Sequence, residues 1–150
     1  MFKHLLIPTD GSELAARAVK AGLDFAREIR ARVTLFTAMP EYTIPTEGQT
    51  LSGRYETLEA YEKRMRQEAE ALLGPALAQA RSAGVQADVE VGLNDSPYQG
   101  IVSAATQKDC DLIFMASHGR HGISEIMYGS QAHGVLTHCN IPTLIYRQKS

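Results

Sequence analysis

At 150 residues, with 44% hydrophobic and 21% charged side chains, the chain is long enough for one domain with a real core and short for two. Its formal charge of −2, with no Lys/Arg-rich stretch, argues against a general nucleic-acid binder. Met1 to His4 leads into only Leu5-Leu6-Ile7 before Pro8, too short for a signal-peptide core or a membrane span, so a cytoplasmic protein without membrane contact is expected.

Leu5-Leu6-Ile7 is an unbroken apolar run ending in Pro8-Thr9-Asp10-Gly11-Ser12, as where a strand buried on both faces enters a turn. Ala15, Ala18, Val19, Gly22, Phe25, Ala26 and Ile29 then recur at helical spacing, predicting a helix to about residue 30. Either an Asp10/Glu13 capping box or Ser12 opens it. Val33 to Met39, rich in β-branched and aromatic residues and stopped by Pro40, is the second strand. Residues 40–54, with two prolines and two glycines, read as an irregular loop, either a lid or a disordered connection.

From about Tyr55 to Ala83 the apolar positions Leu58, Tyr61, Met65, Ala69, Leu72, Ala76 and Ala80 mark a long amphipathic helix, kinked or interrupted at Pro75 and ended at Gly84. Val85 to Gly92 alternates as a third strand nearer a sheet edge. Ser96-Pro97 starts a helix carrying Ile101, Val102 and Ala105 inward. Asp111 to Ala116 is the most apolar strand, a helix spans about Ser130 to Leu136, and Pro142 to Tyr146 is a fifth strand. This alternation predicts one α/β domain: a doubly wound, five-stranded, mainly parallel sheet with helices on both faces.

Ligands of such sheets gather outside the carboxyl ends of the strands where the strand order reverses. That brings Pro8-Thr9-Asp10 opposite the segment 116–130, where Gly119, Gly122 and Gly129-Ser130 join a strand to a helix. Glycines permit close backbone approach, and a helix start offers unpaired amides, so the segment can hold phosphate; the plain alternative is a structural loop. Asp10 can hydrogen-bond ribose hydroxyls, help hold Mg²⁺, or simply cap a helix.

Other chemistry is poorly supported. Neither G-x-x-x-x-G-K-[ST] nor a G-x-G-x-x-G after the first strand occurs. Ser117 and Ser130 lack a nucleophile elbow, His118 and His121 lack partners for a metal shell, and Cys110 and Cys139 lack C-x-x-C spacing, so both are expected to be buried or partly buried thiols.

The chain resembles the universal stress protein family along essentially its whole length, residues 1–150 forming one such domain. Leu6 to Ser12 looks like the family's opening strand and turn, Asp111 to Ala116 like its fourth strand, and Gly129-Ser130 with Val135-Leu136 and Ile141 to Ile145 like its ending. ATP-binding members carry Gly-x-x-Gly, nine residues, then Gly and Ser or Thr; Gly119, Gly129 and Ser130 match, whereas Ala116 stands at the first glycine. The resemblance implies a Rossmann-like fold of the adenine nucleotide alpha hydrolase kind. It places Asp10 at the ribose, with Pro8 and Thr9 beside it in the nucleotide site, Ala38 and Met39 beside the adenine, Met115 and Ala116 under the ribose, and Gly119, Arg120, Gly129, Ser130 and Gln131 around the phosphates. It further implies ATP with Mg²⁺ as ligand, no enzymatic activity beyond slow ATP hydrolysis, and a homodimer paired through Thr143 to Tyr146. The expected function is a stress-response module that uses nucleotide occupancy, with changing order in the 40–54 loop, to regulate contacts with other proteins. A stress dimer that has lost nucleotide affinity and acts as a scaffold or chaperone-like protein is the alternative.

Overall fold

The computed structural model describes residues 1–48, 53, 55–118 and 129–148. Strand and helix alternate as β1 (His4–Pro8), α1 (Glu13–Ile29), β2 (Arg32–Met39), α2 (Leu58–Ser82), β3 (Ala87–Leu93), α3 (Pro97–Gln107), β4 (Leu112–Ala116), α4 (Ser130–His138) and β5 (Thr143–Tyr146). All five strands are parallel, in the order β3-β2-β1-β4-β5. The chain lays β2 and β3 on one side of β1, then returns to lay β4 and β5 on the other. The order therefore reverses between β1 and β4, and Leu5 and Leu6 of β1 pair with Leu112 and Ile113 of β4.

The two-residue period of a strand sends alternate side chains to opposite faces. Leu5, Ile7, Val33, Leu35, Leu112 and Phe114 pack with Val19, Leu23 and Ala26 of α1 and Leu73 and Ala80 of α2. Leu6, Phe36, Ile113 and Met115 face the other way, against Ile101, Ala104 and Ala105 of α3 and Ala132 and Val135 of α4. This double burial is why the central strands read as continuous apolar runs. The edge strand β3 is only half buried, as its alternation predicts.

Helix ends follow from local chemistry. Ser12 caps α1 by accepting from the Ala15 N–H, while Asp10 forms a separate turn by accepting from the Ser12 N–H at 2.9 Å; this settles the choice between the two. Thr57 caps α2 in the same way, and Gly84, at φ +72, ends it with Val85 N–H donating to the Ala80 carbonyl and Gly84 N–H to that of Arg81. Arg30 and Asp109 occupy the same left-handed position after α1 and α3. Of the two expected outcomes at Pro75, interruption does not occur: α2 runs through it. Gly74, Pro75 and Ala71 are all exposed, so water can reach the carbonyl that loses its partner, while Leu73 and Ala80 hold the helix to the core on both sides.

The described part of the 40–54 loop is tethered. The Glu41 N–H donates to Asp95 at 2.9 Å, the Tyr42 hydroxyl to the Glu56 carbonyl at 2.6 Å, and the Tyr61 hydroxyl to the Pro40 carbonyl. Arg64 clamps Glu56 through two nitrogens at 2.8 and 2.9 Å, which holds that carboxyl below the usual range. The remaining positions, 49–52 and 54, lie outside the described residues.

A polar chain crosses the amino end of the sheet. Thr34 is fully buried and donates its hydroxyl to Asp88 Oδ1 at 2.7 Å, so its oxygen accepts from His4 Nε2, also at 2.7 Å. That assigns the proton of the neutral ring to Nε2. His4 Nδ1 is buried without a hydrogen-bond partner among the described residues. Burial first, and the Arg32 charge second, lower the imidazole pKa from its ordinary value of 6.5, outweighing Asp88 and Asp111. Burial likewise pushes the nearby Cys110 thiol up to about 11, and both Cys110 and Cys139 are free thiols, as expected.

Candidate functional site

The carboxyl end of β1 turns sharply because Pro8 follows the apolar run and Thr9 and Asp10 satisfy the turn's own backbone. Thr9 N–H donates to the Phe36 carbonyl at 2.8 Å, joining the ends of β1 and β2, and Thr9 Oγ1 accepts from the Gly11 N–H at 3.2 Å. Across the switch in strand order, β4 ends at Ala116. Ser117 N–H reaches the Tyr146 carbonyl of β5, and the Ser117 carbonyl accepts from Gly129 N–H at 2.8 Å, which seats the start of α4 over the end of β4.

Between these ends lies a cavity of about 250 Å³. Pro8, Thr9 and Asp10 line one side, Ala38 another, and Met115, Ala116, Gly129, Ser130 and Gln131 a third. Residues 10 and 130 thus share one cavity although 120 positions separate them. Met39 is placed elsewhere: it packs with Met65 and Ala69 of α2. Strand alternation is the reason, since Phe36 and Ala38 face α3 and the next residue must face α2. Gly119 and Arg120 lie outside the described residues, as do His121, Gly122 and Glu125.

Sequence reasoning missed several lining residues. Thr37, Phe36, Ala15, Pro97, Ile101, Ser117, His118 and Ala132 also border the cavity. Pro97 and Ile101 carry the signal of a helix start but none of proximity, because only the crossover after β3 brings α3 beside β2. His118 lies at the end of β4, and its Nδ1 is 3.0 Å from Ser117 Oγ. Among the described residues no group of three or more His, Cys, Asp or Glu side chains is placed to hold a metal.

Ala116 is the last residue of β4, paired with Tyr146, and is absent from the residues with positive φ, so glycine is not required there for conformation. What remains of the departure is one methyl group at the cavity wall. Gly129 is likewise in ordinary extended geometry, φ −62 and ψ 161. Its need is closeness: a Cβ there would stand 3.2 Å from the Ser117 carbonyl oxygen and 3.3 Å from the His118 Cα. Gly129 carries no side chain to cap α4, and the first residues of that helix, Ser130, Gln131 and Ala132, border the cavity.

The universal stress protein family model matches residues 1–147. YxiE of Bacillus subtilis, a universal stress protein, is 30% identical over 98% of this chain and 100% of its own length. The solved structure of MJ0577, a universal stress protein of Methanocaldococcus jannaschii, superposes with a TM-score of 0.79 at 25% identity, covering 100% of this chain and 99% of that one. A universal stress protein from Archaeoglobus fulgidus, solved in complex with dAMP, shares the fold at a TM-score of 0.66 and 18% identity, with 98% of each chain covered.

Proposed function

The chain belongs to the universal stress protein family, and from that premise we propose that it binds an adenine nucleotide, ATP first, and acts through occupancy rather than turnover. The observation that carries this reading is the convergence of Pro8-Thr9-Asp10 with Ala116 and Gly129-Ser130-Gln131 around one cavity at the reversal of strand order. A half-open cavity of about 250 Å³ is small beside the range for whole ligands, so it suits the base and ribose, with phosphates at the start of α4. Amides there favour anions by charge and geometry together. That a protein of this fold was solved with dAMP supports an adenine ligand.

Mg²⁺ enters this reading as part of the nucleotide. The described residues offer no cage of three ligands, so phosphate oxygens and water would hold most of its coordination, with Asp10 the one carboxylate at the cavity. The homodimer rests on β5, a four-residue strand at the sheet edge whose residues are all half buried. Sedimentation at micromolar concentration should give a dimer, and a monomer rules out pairing there. Among the described residues no helix is long and apolar enough to cross a membrane.

Calorimetric titration of nucleotide-stripped protein with ATP, ADP and AMP tests the reading. Binding should be lost with Gly129→Val, whose side chain would meet the Ser117 and His118 backbone just beyond β4, and should tighten with Ala116→Gly. No binding of any adenine nucleotide would refute it and favour the second reading, a stress dimer acting as a scaffold or chaperone-like protein, for which the Ala116 methyl in the cavity wall is the specific observation.

A further inference from the structure

Resting on that nucleotide reading, the geometry assigns Gln131 as the positioning residue of the phosphate end: it caps α3 with its carbonyl oxygen and thereby aims its amide group at the ligand's anionic oxygens. The start of α3 is short of caps. Its N-cap residue Ser96 makes no side-chain cap hydrogen bond, and the first helical residue, Pro97, has no N–H. The Gln99 and Gly100 amides return to the Ser96 carbonyl. The Tyr98 N–H alone is served from another helix, donating to Gln131 Oε1 at 2.7 Å.

This bond decides the chemistry of Gln131. An N–H can be met only by the carbonyl end of the amide, so the amide plane cannot flip without leaving the Tyr98 N–H unserved. Nε2 is therefore the other end, 3.5 Å from the hydroxyl of Ser130, and both residues border the cavity. The site is presented with a donor, which suits a phosphate and offers nothing to a second donor.

The same bond belongs to a contact along one stripe of α4. Gln131, Gly134 and His138 are spaced three and four apart and all meet Tyr98. The Tyr98 ring stacks on His138 with centroids 5.2 Å apart and lies so close to Gly134 that a Cβ there would stand 2.6 Å from its Cδ1. The first turn of α3 is thus packed against α4 at three positions, and of these Gln131 borders the cavity.

Gln131→Glu separates this role from a purely structural one, because a carboxylate still accepts from the Tyr98 N–H but puts negative charge where the phosphates bind. Thermal unfolding should show it at least as stable as the parent, with adenosine affinity unchanged. Its ATP affinity at pH 8 should fall roughly tenfold or more from like-charge repulsion, and recover as the pH falls and the new carboxyl takes a proton. Gln131→Leu, lacking both donor and acceptor, should lower the melting temperature and weaken ATP more than adenosine. Equal ATP affinity for Gln131→Glu and the parent overturns the inference, as does equal weakening of ATP and adenosine in both variants, which would leave Gln131 a fold element only. Failure of the parent itself to bind either ligand instead refutes the nucleotide reading, and the inference with it.

Discussion

Replacing Thr34 by Val changes one hydroxyl for a methyl at a fully buried position, leaving volume nearly constant and creating no cavity. Two hydrogen bonds of 2.7 Å disappear. Their costs differ. Asp88 is half exposed, with a side-chain exposure of 57% and Lys108 3.9 Å away, so water replaces its lost donor cheaply. His4 has no such recourse: its Nδ1 already lacks a partner, and Nε2–H would become a second buried orphan. A buried unsatisfied group costs about 1–3 kcal/mol, so the loss should be about 2 kcal/mol, or roughly 4–8 °C in melting temperature for a domain of this size. Urea and thermal unfolding at pH 7.5 measure it. Adding His4→Leu removes the orphan along with its former acceptor, so the double variant should lose less than the sum of the single variants. A Thr34→Val protein within about 0.5 kcal/mol of the parent, or strictly additive losses, would refute the account of this network.

The same histidine sets a pH dependence. Its folded pKa lies below the unfolded value of 6.5, so as pH falls through that window the unfolded chain binds more protons and stability declines; the decline should be shallower in the double variant, by denaturant midpoints from pH 8 to 5. Gly134→Ala drives a Cβ into the Tyr98 ring, and should cost about 1–3 kcal/mol of overpacking, offset by about 1 kcal/mol of helix propensity. Thermal melts should show that the overpacking loss disappears in a Tyr98→Ala background. Gly84→Ala meets open space but keeps φ +72, so it should lose about 1 kcal/mol through conformation alone, read by urea unfolding. Gly129→Ala has no conformational cost and must push α4 from β4 by a few tenths of an ångström; calorimetry should show nucleotide affinity weakened roughly tenfold with little change in melting temperature.

Much of this was legible in the chain because the determining forces are local. Apolar runs of three to six residues between turn signals located β1, β2, β4 and β5, helical spacing located most of the buried faces of α1 and α2 but placed the exposed Leu58 inward and missed the buried Leu23 and Leu73, and Ser12, Gly84 and Pro97 marked helix ends through the conformations they permit. Strict alternation of strand and helix was enough for a parallel, doubly wound sheet, and the rule for its switch point was enough to pair Asp10 with Ser130.

The rest needed the assembled sheet. Whether Ala38 or Met39 meets the cavity depends on which face α3 covers, a fact set by a crossover and by no local preference. Pro75 persists inside α2 because its exposed side can be hydrated while the buried side is held. His4, Thr34 and Asp88 form a chain only because β1, β2 and β3 are neighbours in register. Gln131 serves Tyr98 because two helices lie side by side on one face of the sheet. Backbone preference and hydrophobic period act over a few residues and can be read from their order; partners of polar groups are chosen by packing between distant segments, and that choice belongs to the tertiary structure.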